Sequence, residues 1–175
     1  MKWPEFTLDI FSRIQQELEQ VLNGLTAEDL NYQPKRESNS IGWLAWHSIR
    51  SQDRMNADLL GEEQLWIRDK WYARLNREPD PRDTGFGHTT EQAAAFRAPD
   101  SQTLLDYYHA VFERTREYLT KRLSEAELKR EVKSPTLGTT DTVEMRLLGV
   151  ISNLQHIGQA GYVRGMLKGK GWYGR

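Results

Sequence analysis

Apolar residues in this chain recur at steps of three and four along four separate long stretches, and that period belongs to the α-helix. The first stretch, residues 4–25, carries Phe6, Ile10, Ile14, Leu18, Val21, Leu22 and Leu25. A second helix is expected from Ser38–Ser40 to Leu60, with Ile41, Leu44, Met55 and Leu59 on its apolar side and Gly61 as C-cap. The third is introduced by Pro99, Asp100 and Ser101 and carries Leu104, Leu105, Tyr108, Val111, Phe112, Tyr118, Leu119 and Leu123. The fourth runs from about Thr142 to Lys168. No run alternates with the period of a strand, so the pattern predicts an all-α, four-helix bundle.

The connections add detail. Thr26 with Asp29, and Ser124 with Glu127, have the spacing of a helix N-cap and its reciprocal acid. Residues 133–141 read as a turn-rich segment. The link from the second long helix to the third spans about 40 residues, long for a bundle. Trp66, Trp71 and Tyr72 mark a short helix within it, Pro79 and Pro81 force a loop over 75–89, and residues 90–96 suit one or two helical turns. A link of this length is expected to cross the bundle and can serve as a lid over a pocket.

At 175 residues, with 38% apolar side chains, the chain suits a single domain spanning 1–175 with a real core. Twenty-four basic against 25 acidic residues give a net charge of −1, and the only basic cluster is Lys168, Lys170 and Arg175, too few phosphate contacts for nucleic-acid binding. Cysteine is absent, which excludes disulfides and thiolate metal sites and leaves His, Asp and Glu as the strong metal ligands. The N-terminal residues lack the basic start and apolar run of an export signal, so a cytoplasmic location is expected. The uncharged stretch from Leu147 to Val163 is short of a bilayer span and holds several polar residues; it reads as a buried helix and no membrane association is expected.

Four histidines are present: His47, His88, His109 and His156. No charge lies between Ser38 and Ile49, so His47 is expected to be buried at least in part, and His156 sits in the uncharged part of the last helix. Neutral imidazoles on two helices of a bundle can hold a metal in its core; equally, each ring can be a core histidine satisfied by hydrogen bonds. His109 reads as surface or groove lining, and His88 lies in the Gly-Phe-Gly-His-Thr element of the long loop. Trp43 and Trp46 beside His47, with Trp66 and Trp71, supply aromatic mass for a pocket or a core. Arg50 and Arg54 can offer guanidinium groups to an anion or pair with Asp53, Asp58 or Glu62. Gln155 and Gln159 flank His156 and can orient its ring.

The WLAWHSIRSQD segment at 43–53, paired with NLQHIGQAGYVRG at 153–165, resembles the DinB/YfiT-like superfamily of metalloenzymes, and GFGHT at 85–89 with the terminal GWY at 171–173 resembles one of its subfamilies. The similarity covers nearly the whole chain. It implies a four-helix bundle with a crossing second connection, a homodimer, a small-molecule substrate or ligand, and a divalent metal, Zn or Ni, held by three side chains. Two of those ligands map to His47 and His156. The third, His, Glu or Asp one turn before the last-helix histidine, maps to Ser152, a poor ligand. His88 can complete the set, Asp53 or solvent can substitute, or the metal has been lost and a polar pocket lined by Trp43, Trp46, Arg50, Ser152, Gln155 and Gln159 remains. The activities implied are those of a metal-dependent, thiol-dependent transferase, an isomerase or a hydrolase, with a non-catalytic ligand-binding module as the alternative.

Overall fold

The computed structural model describes residues 3–173, which form ten helices and one two-stranded sheet. The long helices are α1 (Trp3–Leu22), α3 (Ile41–Leu60), α7 (Ser101–Lys121) and α10 (Val150–Lys168). Short helices fill the connections: α2 (Ala27–Asn31), α4 (Leu65–Arg68), α5 (Trp71–Arg74), α6 (Thr90–Ala95), α8 (Glu125–Leu128) and α9 (Val143–Leu147). Ser40 caps α3 by accepting from the Trp43 N–H, and Gly61 ends it in the left-handed conformation, as the spacing predicts. Thr26 and Asp29 close a full capping box on α2.

Side-chain contacts give the direction of each long helix. Arg50 and Asp53 meet Tyr107, Asn56 meets Val111 and Thr115, and Arg114 reaches Glu62 and the Glu63 carbonyl, so α3 and α7 run parallel. His47 lies against His156 and Gln52 against Asn153, so α10 is antiparallel to α3. Two parallel neighbours of about 30 Å each cannot be joined by a tight turn, because the chain must return along the bundle before α7 begins. That return explains the long second connection.

One expectation gains detail and two need correction. The turn-rich segment 133–141 is the tip of a hairpin: β1 (Glu131–Lys133) pairs antiparallel with β2 (Thr140–Thr142), Val132 opposite Asp141. Three-residue strands are too short to show alternation. The fourth helix does not run unbroken from Thr142, since α9 and α10 are separate and a Cβ at Gly149 would stand 3.0 Å from the Arg146 carbonyl. At α8 only half of the capping box forms: Ser124 accepts from the Glu127 N–H, while the Glu127 carboxylate turns to Arg130 and Tyr118.

The connection is fastened to the bundle by a buried carboxylate. Asp53 accepts from the Leu65 and Trp66 N–H groups at 2.9 and 2.8 Å, capping α4, and from the Tyr107 hydroxyl at 2.7 Å. Arg50, fully buried, pairs with Asp53 at 3.4 Å, donates to the carbonyls of Asp83 and Pro81, and lies over the Trp66 ring.

Candidate functional site

A cavity of about 330 Å³ opens between α3 and the start of α10. One stripe of α3 faces it: His47, Ser51, Arg54 and Asp58, spaced four, three and four residues apart. Gly149, Ser152 and Asn153 form the opposite wall, Asp141, Met145 and Arg146 one end, and Phe86 the rim.

His47 is 8% exposed, its ring stacked on Trp43 at 5.0 Å. Its Nδ1 lies 2.5 Å from the Thr84 carbonyl, so Nδ1 carries the proton and donates it. Burial pushes the His47 pKa down to about 4, opposed by the Thr84 hydrogen bond and assisted by the nearby His156 and Arg54 charges. The ring is neutral at pH 7. Its neighbour is set by glycine chemistry: Gly85 has φ +85°, and a Cβ there would come within 3.0 Å of His47 Nδ1 and 2.9 Å of the Trp43 ring.

His156 meets His47 edge to face, ring centres 4.6 Å apart. Its Nδ1 is 3.1 Å from Gln159 Oε1, so Gln159 orients the ring. No hydrogen bond from the described residues reaches Nε2 of either histidine.

The other sequence-selected residues fall in different places. His88 belongs to a separate network: its Nδ1 accepts from Trp43 Nε1 at 3.3 Å and its Nε2 donates to Asp83 at 3.1 Å, which leaves no free lone pair for a metal. Trp46 is buried in the core against Phe96, with Trp66 and His88 around it. Arg50 does not line the cavity, because its guanidinium is spent on the connection. Asp53 likewise caps α4 and is no substitute ligand. Ser152 lines the cavity, while Gln155 is exposed and does not. His109 is a surface residue 2.8 Å from Glu19.

Sequence reasoning missed Asp58, Phe86, Met145 and Arg146 as lining residues. Asp58 was legible from its i,i+4 spacing to Arg54; Arg146 reaches the cavity only because α9 breaks from α10. Burial raises the Asp58 pKa and lowers that of Arg54. Arg146 is tied to Asp141 at 3.0 Å and to Thr139.

A divalent ion needs more than this donor set provides. The Nε2 atoms of two imidazoles are available, Ser152 offers only a hydroxyl, and the described residues contain no group of three His, Cys, Asp or Glu side chains placed for a metal. The residues do not fit a tightly held metal.

The fold has counterparts among known proteins. The sequence model of the DinB superfamily matches residues 10–160, and the chain belongs to that superfamily. A solved structure, described as the conserved protein of a locus from Enterococcus faecalis, superposes with a TM-score of 0.83 at 28% identity, covering 97% of this chain and 99% of that one. Among curated proteins no sequence matches. No helix among the described residues is long and apolar enough to cross a membrane.

Proposed function

We propose that this chain is a small-molecule-binding member of the DinB superfamily whose metal centre has been reduced to two imidazoles. The observation that carries the reading is the geometry of those rings: each Nδ1 is fixed by an oxygen and neither Nε2 has a hydrogen-bond partner among the described residues. A neutral, pre-oriented imidazole is a hydrogen-bond acceptor for a ligand. With a third strong donor it would be a metal ligand, and Ser152 withholds that donor. The two free Nε2 atoms also favour a second reading, an enzyme of the transferase, isomerase or hydrolase kind that draws its remaining metal ligands from solvent or substrate.

Titration calorimetry with Zn and with Ni decides between them. The parent is expected to bind either ion weakly. Ser152→His or Ser152→Glu places a strong donor one turn before His156 and should tighten binding clearly, with His47→Ala abolishing the gain. Tight binding by the parent, lost in His47→Ala, would replace the first reading with the second. The homodimer implied by the resemblance is assigned to the solvent-facing side of α10, where Ile151, Leu154, Tyr162 and Met166 are all at least half exposed; sedimentation velocity over a concentration series tests it.

A further inference from the structure

The α3 stripe that faces the cavity holds a cation with too little to bind. Arg54 lines the pocket and carries five N–H donors, yet its one hydrogen bond among the described residues is to the Thr84 hydroxyl, long at 3.5 Å, and it has no salt bridge. Of the two acidic groups of the cavity, Asp141 is tied to Arg146 at 3.0 Å, while Asp58 favours the Arg54 charge through space but forms no salt bridge with it among the described residues and keeps one buried oxygen unpartnered. Arg50 and Arg146 add positive charge nearby, and burial depresses the Arg54 pKa. A partly buried guanidinium with unused donors and like charges beside it is costly unless an anion completes it. The remaining walls are apolar or neutral: Met55, Met145 and the Phe86 ring, which is 80% exposed at the rim.

We propose that the cavity takes an amphipathic carboxylate, its anionic end on the Arg54 guanidinium and its apolar body against Met55, Met145 and Phe86. Arg54 lies two helical turns from His47, about 10 Å along the axis, so a ligand of roughly that length also reaches the His47 Nε2. A volume of about 330 Å³ admits a molecule at the small end of the usual ligand range. The inference rests on the cavity being the working site, but needs no metal.

The test is titration calorimetry in the presence of a chelator, with 4-phenylbutyrate and the uncharged 4-phenylbutyramide as probes, so that the metal titrations and this measurement fail separately. The acid should bind at least about tenfold more tightly than the amide, the effect of one charge-assisted hydrogen bond. Arg54→Gln should bring the acid down to the level of the amide, and Arg54→Lys should keep part of the preference. If Arg54→Gln does not fold, the acid-to-amide ratio of the parent and its decrease with added salt decide the matter. Equal binding of acid and amide, no binding of either, or a preference that survives Arg54→Gln overturns the proposal.

Discussion

His47, which lines the pocket, and His156, which packs against it, sit in uncharged stretches that the fold treats in opposite ways. In α3 every residue from Ile41 to Arg50 is buried, around the whole circumference of the helix. In α10 only Val150, Asn153, Ile157, Ala160, Val163 and Arg164 are buried, and Ile151, Leu154 and Tyr162 face solvent. The expectation that 147–163 is a buried helix is therefore corrected: it has one buried face. The cause lies outside both helices. The connection between α3 and α7 wraps the outer side of α3, bringing Trp66, Phe96 and the 80–88 loop onto it, and among the described residues nothing comparable covers α10. An uncharged sequence states that a surface can be buried; a covering segment decides whether it is.

The connection that makes the difference can be detached. Asp53→Ala leaves the Arg50 guanidinium buried without its counter-charge and the Leu65 and Trp66 N–H groups without an acceptor, and is expected to cost about 3–5 kcal/mol in urea unfolding. A loss below about 1 kcal/mol would mean that apolar contacts alone hold the segment on α3.

Next comes burial of His47 itself. Its folded pKa of about 4 lies below the 6.5 of the unfolded chain, so between those values the unfolded state binds the proton and the native state does not. Stability should be unaffected above pH 6.5 and fall as the pH drops toward 4, by roughly 3 kcal/mol in all. His47→Asn should flatten that part of the pH profile. A profile unchanged by the substitution would show the ring to be more open to water than the α3 comparison requires.

The smallest effect belongs to α10. Ile151→Glu on its exposed face should change the unfolding free energy of dilute protein by no more than about 0.5 kcal/mol. A loss above about 1 kcal/mol would show that this face too is covered, by a second chain.

Much of the architecture was readable because it is periodic or capped. Ser40, Gly61 and the Thr26–Asp29 pair mark helix ends through local chemistry that tertiary packing does not alter. The contact between His47 and His156 was approachable from composition, since a polar ring in an uncharged helical stretch has few places to go. The pairing of Arg50 with Asp53 was readable as one alternative, but the tie of both residues to the connection was not. Their partners there are backbone groups 12 to 33 residues away, at the start of α4 and in the loop after α5, and no residue type in that segment announces a free N–H or carbonyl. Arg146 and Phe86 escaped for a related reason: the break between α9 and α10 and a loop, rather than one continuous helical face, bring them to the cavity.

The stretch from Asp80 to Thr84 has no regular structure, yet its carbonyls are taken in succession: Asp80 by the Trp66 indole, Pro81 and Asp83 by Arg50, and Thr84 by His47. Surface loops are ordinarily where insertions and deletions accumulate. Here a single added residue would put every later carbonyl out of step with donors anchored on α3 and α4, and the last of those donors is the proton that sets the His47 tautomer. Length in this loop is consequently a chemical variable, and drift in it alters the pocket as directly as a substitution inside the pocket would.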